Sequence, residues 1–132
     1  MPDAKEHKTK ADKNIAFFES FATSDSPEWK VVVAFYSALH MVERLASCEM
    51  VHNSDHHRRL AYLRSHRSHK AIYPAFTALH DASGIARYDT DGRFAKAFPG
   101  DHVQRILLDT FFARIRQYVD EFFVARNTPL KA

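Results

Sequence analysis

The chain has 132 residues, enough for one domain and too few for two of ordinary size. Eleven Phe, five Tyr and one Trp supply a core, while three Gly and five Pro leave little turn material, which disfavours an all-β fold. The net charge of +3 permits an anionic partner without requiring one, the single Cys48 excludes an internal disulfide, and no apolar run approaches the roughly 20 residues of a membrane span.

Residues 1–12 are Lys-rich and lack a core pattern, so they are expected to be a flexible segment ahead of one helical domain over 13–128. The polar start Met1-Pro2-Asp3-Ala4-Lys5-Glu6 has no signal-peptide pattern, and the expected location is the cytoplasm. Ile15, Phe18 and Phe21 mark one face of a short helix ending near Ser24-Asp25. Ser26-Pro27-Glu28 is a helix start, with Ser as cap, Pro in the first turn and Glu at the positive end of the dipole. The helix that follows runs to about Met50, with Trp29, Val32, Val33, Tyr36, Leu39, His40 and Val42 on its inward stripe. Asn53-Ser54-Asp55 caps a shorter helix over about 55–67, with Leu60 and Leu63 facing in. Pro74 opens the next, on which Phe76, Leu79, Ser83 and Ala86 keep helical spacing as far as Asp89-Thr90-Asp91-Gly92. Residues 89–100 read as irregular. Asp101 then caps a last helix carrying Val103, Leu107, Phe111, Ile115, Tyr118 and Phe122, which stops before Pro129. The fold expected is an all-α, up-and-down bundle of four to five helices.

Histidine is the unusual residue. Five of nine lie between His52 and His69, and residues 51–70 hold five Lys or Arg against Asp55 alone; that local +4 exceeds the charge of the whole chain. Helical phase turns His56 and Arg59 inward and His57 and Arg58 outward. His40 lies four residues after Tyr36 on the apolar stripe. Phe76, His80, Ser83 and Arg87 form a further stripe, with Tyr88 beside them. Three helices thus each bring His or Arg toward the interior, where unpaired charge is expensive; these groups should meet one another, a cleft or a ligand.

Three segments resemble one known family. Trp29-Lys30-Val31-Val32-Val33-Ala34-Phe35-Tyr36-Ser37-Ala38-Leu39-His40 is similar to the first long helix of small bacterial HEPN-like proteins, which carry W-x-V-x-x-x-F-Y-x-A-L-H. Asp55-His56-His57-Arg58-Arg59 resembles their S-H-x-x-R, with Asp in place of Ser. The run Tyr73-x5-Leu79-x3-Ser83-x2-Ala86-Arg87-Tyr88 is close to their Y…L…S…ARY, so the likeness spans about residues 27–90 in order. It implies a four- to five-helix bundle, frequent homodimers, and kinship with metal-independent ribonucleases that act as toxins or phage-defence effectors. The family's catalytic signature, an Arg followed four to six residues later by His, is matched by Arg64-x4-His69 and Arg59-x6-His66. In active relatives the motif lies on the last long helix, often followed by Tyr; here Ala71 holds the Tyr position and no His follows the arginines of the final helix.

Metal-free RNA cleavage needs proton-transfer groups and cations that hold the phosphate, tasks suited to His and Arg. The expected catalytic residues are His56 and Arg59, with Arg64 and His69 as the motif-based alternative; His40, Arg87 and Tyr88 are the expected nucleic-acid contacts. RNA or a nucleotide, a second copy of the chain, and an antitoxin or nucleotidyltransferase are the expected partners, with no cofactor. A second reading is a non-catalytic module that binds nucleotide or nucleic acid. A third is a metal site, since His52-x3-His56 and His66-x2-His69 have helical ligand spacings; but Glu49-x-x-His52 finds no second Glu-x-x-His, and no metal is assigned.

Overall fold

The computed structural model describes residues 3–20, 26–89 and 91–127. The chain is an all-α bundle, and no strand occurs among the described residues. Its helices are α1 (Ala4–Glu19), α2 (Pro27–Cys48), α3 (His56–Ser65), α4 (Tyr73–Arg87), the five-residue α5 (Arg93–Ala97) and α6 (Ala113–Asn127). A tight turn of helix, His69–Ile72, leads into α4, and a wider-wound stretch, Val103–Phe112, runs directly into α6.

α2 is the central rod and packs against α1, α4 and the last helical stretch. Val31, Ala34, Phe35, Ala38, Val42 and Leu45 form its buried face, meeting Leu63, Phe76, Leu79, Leu107, Ile115 and Val119 from the surrounding elements. Contrary to the expectation that no apolar run approaches a membrane span, α2 is by length and composition long and apolar enough to cross a membrane; 61% of its apolar window is buried by the rest of the chain, as in a core helix.

The observed phase of α2 differs from the expected stripe. Phe35 and Ala38 are buried, whereas Trp29 is 64% exposed and Tyr36 lies on the rim. A helix flanked by three neighbours buries most of its circumference, so small residues such as Ala34 and Ala38 face in where helices approach closely, and the largest aromatics need not.

α1 begins at Ala4 rather than near residue 13, because Asp3 caps it by accepting from the Glu6 amide at 2.8 Å and because His7 and Ala11 pack against α2. The buried Lys30 ammonium closes the other end by donating to the Phe18 carbonyl. The contribution expected of Phe21 and the end near Ser24-Asp25 lie outside the described residues, as does the stop at Pro129. Pro27 occupies the first turn of α2 as expected, although the Ser26 side chain makes no capping bond.

After α2 the chain turns through Met50, whose φ of 61° is left-handed, a conformation in which L residues other than Gly, Asn and Asp are uncommon. The turn lets the Val51 amide reach back to the Ala46 carbonyl at 2.8 Å. Asp55 then caps α3 as expected, accepting from the Arg58 amide at 2.8 Å. The stretch expected to be irregular contains α5, anchored by the buried Phe94. Asp101 does not cap through its side chain; His102 holds the cap position, and the Asp101 carbonyl accepts from Arg105 at 2.9 Å. The wide winding that follows is accompanied by polar side-chain contacts five residues apart, Gln104 to Asp109 at 2.7 Å and Thr110 to the Arg105 carbonyl at 2.8 Å.

Candidate functional site

The residues expected to act together fall into two clusters. The first is built by α2, α3 and α4 around a buried ion pair. Glu43 and Arg59 meet at 2.5 Å with side chains 5% and 11% exposed, and Asn53 adds a long contact to the same carboxylate at 3.4 Å. With its charge matched there, Arg59 serves to aim a histidine. Its guanidinium can only donate, so the 3.1 Å contact from Arg59 Nη1 makes His56 Nδ1 an acceptor. In the neutral ring the proton therefore sits on Nε2. That nitrogen is buried and has no hydrogen-bond partner among the described residues.

His80, one turn before Ser83 on α4, stacks on His56 with ring centres 3.8 Å apart and a 22° tilt. Phe35 flanks both rings at 5.8 and 5.5 Å, and Phe76 lies 5.9 Å from His56. His80 Nδ1 is 3.2 Å from the Asp81 carboxylate. A carboxylate accepts, so in the neutral His80 ring the proton belongs on Nδ1 and Nε2 presents a lone pair. Burial, then the nearby His80, Arg59 and Arg87, lower the His56 pKa to about 4, so this ring is uncharged at neutral pH.

Arg87 supplies the exposed cation of the cluster. It donates to the Tyr36 hydroxyl at 3.1 Å and to the Ser83 carbonyl at 3.4 Å, with Tyr36 and Tyr88 rings 5.9 and 5.5 Å from its guanidinium. Tyr88 is exposed. Arg87 also borders a cavity of about 150 Å³ lined by Glu28, Trp29, Val32 and Ala86. The Ser83 hydroxyl is buried without a partner among the described residues.

His40 pairs away from His56, with α1. Its Nδ1 lies 2.9 Å from His7 Nδ1, so one ring donates and the other accepts across the α1–α2 contact. Burial, then His7, lower its pKa to about 4. Its contacts are those of a neutral ring joining two helices.

The second cluster holds His69, which is fully buried. His69 Nε2 is 3.0 Å from Glu49 Oε1 and its Nδ1 is 2.6 Å from the Tyr118 hydroxyl. His66 Nε2 is 2.9 Å from Glu49 Oε2, and the Tyr62 hydroxyl also donates to Glu49. Arg64 is exposed on α3. The two literal Arg-to-His motifs are therefore not matched by two open sites: His69 is enclosed away from solvent-facing Arg64, and Arg59 and His66 are paired with different carboxylates.

The structure thus brings together His56, Arg59 and Arg87 with Tyr88, and adds Glu43, Tyr36 and His80, which were not among the expected site residues. His80 was legible as a member of the α4 stripe; its stacking partner was not, because α3 and α4 meet only in the fold. Comparison with known protein families, curated proteins and solved structures returns no match to this chain.

Proposed function

We propose that the chain is a HEPN-like, metal-independent RNA endonuclease whose site is the His56–His80–Arg87 cluster. The observation that carries the reading is the pairing of opposite hydrogen-bonding roles on two stacked histidines beside an exposed cation. His80 Nε2 offers a lone pair that accepts the 2′-hydroxyl proton as the 2′-oxygen attacks phosphorus. The P–O5′ bond breaks and the leaving 5′-oxygen takes a proton from water, while His56 Nε2–H donates to a phosphoryl oxygen and Arg87 holds the phosphate. The exposed rings of Tyr88, 5.5 Å from the Arg87 guanidinium, and of Trp29, which lines the same cavity as Arg87, are platforms on which unpaired bases stack. Arg59 is a positioning residue in this reading, because its charge is taken up by Glu43 and a second of its donors, Nη1, fixes the His56 tautomer. A homodimer would set two such clusters against one substrate; light scattering reads that state, and an antitoxin or nucleotidyltransferase would be a partner covering the same face.

The test is incubation of pure protein with a labelled RNA in EDTA. Cleavage that is lost in His80→Ala and His56→Ala, each still folded by circular dichroism, supports the enzyme. The second reading, a binding module, rests on the neutral charge of His56, which suits it to donate a hydrogen bond rather than a proton. Intact RNA bound by the wild type and released by Arg87→Ala selects that reading.

A further inference from the structure

The second histidine cluster has the opposite polarity to the first, and it lies outside the RNA site. At its centre is the Glu49 carboxylate, just past the end of α2, with the Nε2 atoms of His66 and His69 at 2.9 and 3.0 Å from its two oxygens. All three donor atoms lie within 4.8 Å of one another. The sequence spacing His66-x2-His69 put two imidazoles on one side of a turn; the fold adds Glu49 as the third ligand, in place of His52 or His56.

We infer that Glu49, His66 and His69 form a binding site for a borderline divalent cation such as Zn²⁺. Two imidazoles and one carboxylate are a ligand set for zinc and its neighbours rather than for magnesium or calcium, which prefer all-oxygen shells. Metal bonds of about 2.0–2.1 Å in a tetrahedron place ligand atoms about 3.3 Å apart, so the two observed separations need only small outward shifts to admit an ion. His69 is held by its fully buried ring, and the Tyr118 oxygen 2.6 Å from Nδ1 is placed to become the acceptor that a metal-bound imidazole requires on its far nitrogen. Glu49 and His66 are partly exposed, at 30% and 24%, which gives the ion an entry path and leaves a fourth position to water.

Both rings must rearrange. His69 Nε2 faces the Glu49 carboxylate at 3.0 Å and so carries the proton when the site holds no ion, with Nδ1 accepting from the Tyr118 hydroxyl at 2.6 Å; binding moves that proton to Nδ1 and turns the Tyr118 oxygen from donor to acceptor. His66 Nδ1 accepts from the Ser68 and His69 amides, both at 3.0 Å, so its proton sits on Nε2 when the site holds no ion. Binding moves that proton to Nδ1 and turns those two amides away, a change confined to the short segment between α3 and the turn at His69–Ile72. The Tyr62 hydroxyl, which donates to Glu49 Oε1, stays as an outer partner of the carboxylate. An ion here would tie together the end of α2, the loop after α3 and, through Tyr118, α6.

The experiment uses the full chain, stripped with EDTA and desalted, titrated with Zn²⁺ by calorimetry and with Co²⁺ by visible absorption. The expected result is one ion per chain, a strong four-coordinate Co²⁺ band, and a melting temperature that rises with metal concentration. His66→Ala and Glu49→Gln should weaken binding by more than the about 10–100-fold typical of an outer partner, Tyr118→Phe by about tenfold, and His52→Ala not at all. Should Glu49→Gln fail to fold, His66→Ala decides, since His66 is partly exposed. Histidine ¹⁵N shifts of the unsubstituted protein with Zn²⁺ read coordination at Nε2 of both rings directly. Absence of a saturable site on folded wild-type protein, or affinity unchanged in His66→Ala, overturns the inference. RNA cleavage in EDTA is a separate readout, so neither result can stand in for the other.

Discussion

The two histidine clusters use the same residue types and arrive at opposite states. Around Glu49 every polar atom of the carboxylate and of both imidazoles is engaged, by Tyr62, His66, His69, Tyr118 and two backbone amides. Around His56 the ion pair is closed, but His56 Nε2 and the Ser83 hydroxyl have no hydrogen-bond partner among the described residues. A satisfied network rigidifies the elements it joins, whereas an unsatisfied buried donor is a group whose partner has yet to arrive. The sign of the charge separates them as well. The first cluster offers donors and a cation and is suited to an anion; the second sets a carboxylate between two imidazole nitrogens that become lone pairs once their protons move to Nδ1, and is suited to a cation.

The sharpest way to break this contrast is to remove the open groups one at a time. His80→Ala or His56→Ala should lower RNA cleavage by about a hundred- to ten-thousand-fold, the range for one proton-transfer or oriented donor group, with little change in melting temperature. The closed part of the same cluster should respond in stability instead. Glu43→Ala leaves Arg59 buried and uncompensated, with an expected loss of about 3–5 kcal/mol in urea unfolding. Arg87→Ala is milder: RNA affinity should fall for all sequences alike, and the salt dependence of binding should lose about one phosphate contact.

The smallest effect is a pH dependence shared by both regions. Burial lowers His40 and His56 to about 4 from the ordinary histidine value of 6.5, and it lowers His7 and His69 in the same direction. The unfolded chain therefore takes up protons before the folded one does. The stability these neutral rings contribute should be complete above about pH 6.5 and drain away as pH falls toward 4, seen as a falling urea midpoint. His40→Gln, which removes one such ring at the α1–α2 contact, should flatten that slope.

Much of the fold was legible because helical periodicity and caps are local. Asp55, Pro27, Leu63, Phe76 and Leu79 act as their spacing suggests. The phase of α2 was not, because a helix packed on several sides reports no single stripe, and Trp29 went outward while Phe35 went in. The start of α1 was missed for a related reason: its Lys-rich surface masks the one buried face carried by His7 and Ala11. At the site, inward His56 and Arg59 followed from phase, and Arg87, with Tyr88 beside it, from the stripe it shares with Phe76, His80 and Ser83. The Glu43–Arg59 pair and the His56–His80 stack required knowing which helices meet, since sixteen residues separate the ion pair. The division of His69 from Arg64 likewise depends on a turn between them that places one inside and the other in solvent.

The measurement that bears most directly on the His56–His80–Arg87 site is the rate of cleavage of a labelled RNA in EDTA by wild type and His80→Ala side by side. Cleavage by the wild type that falls at least about a hundredfold in the folded variant is the result expected of a base at His80 Nε2. RNA left intact by the wild type, or cut equally well by both proteins, would contradict it.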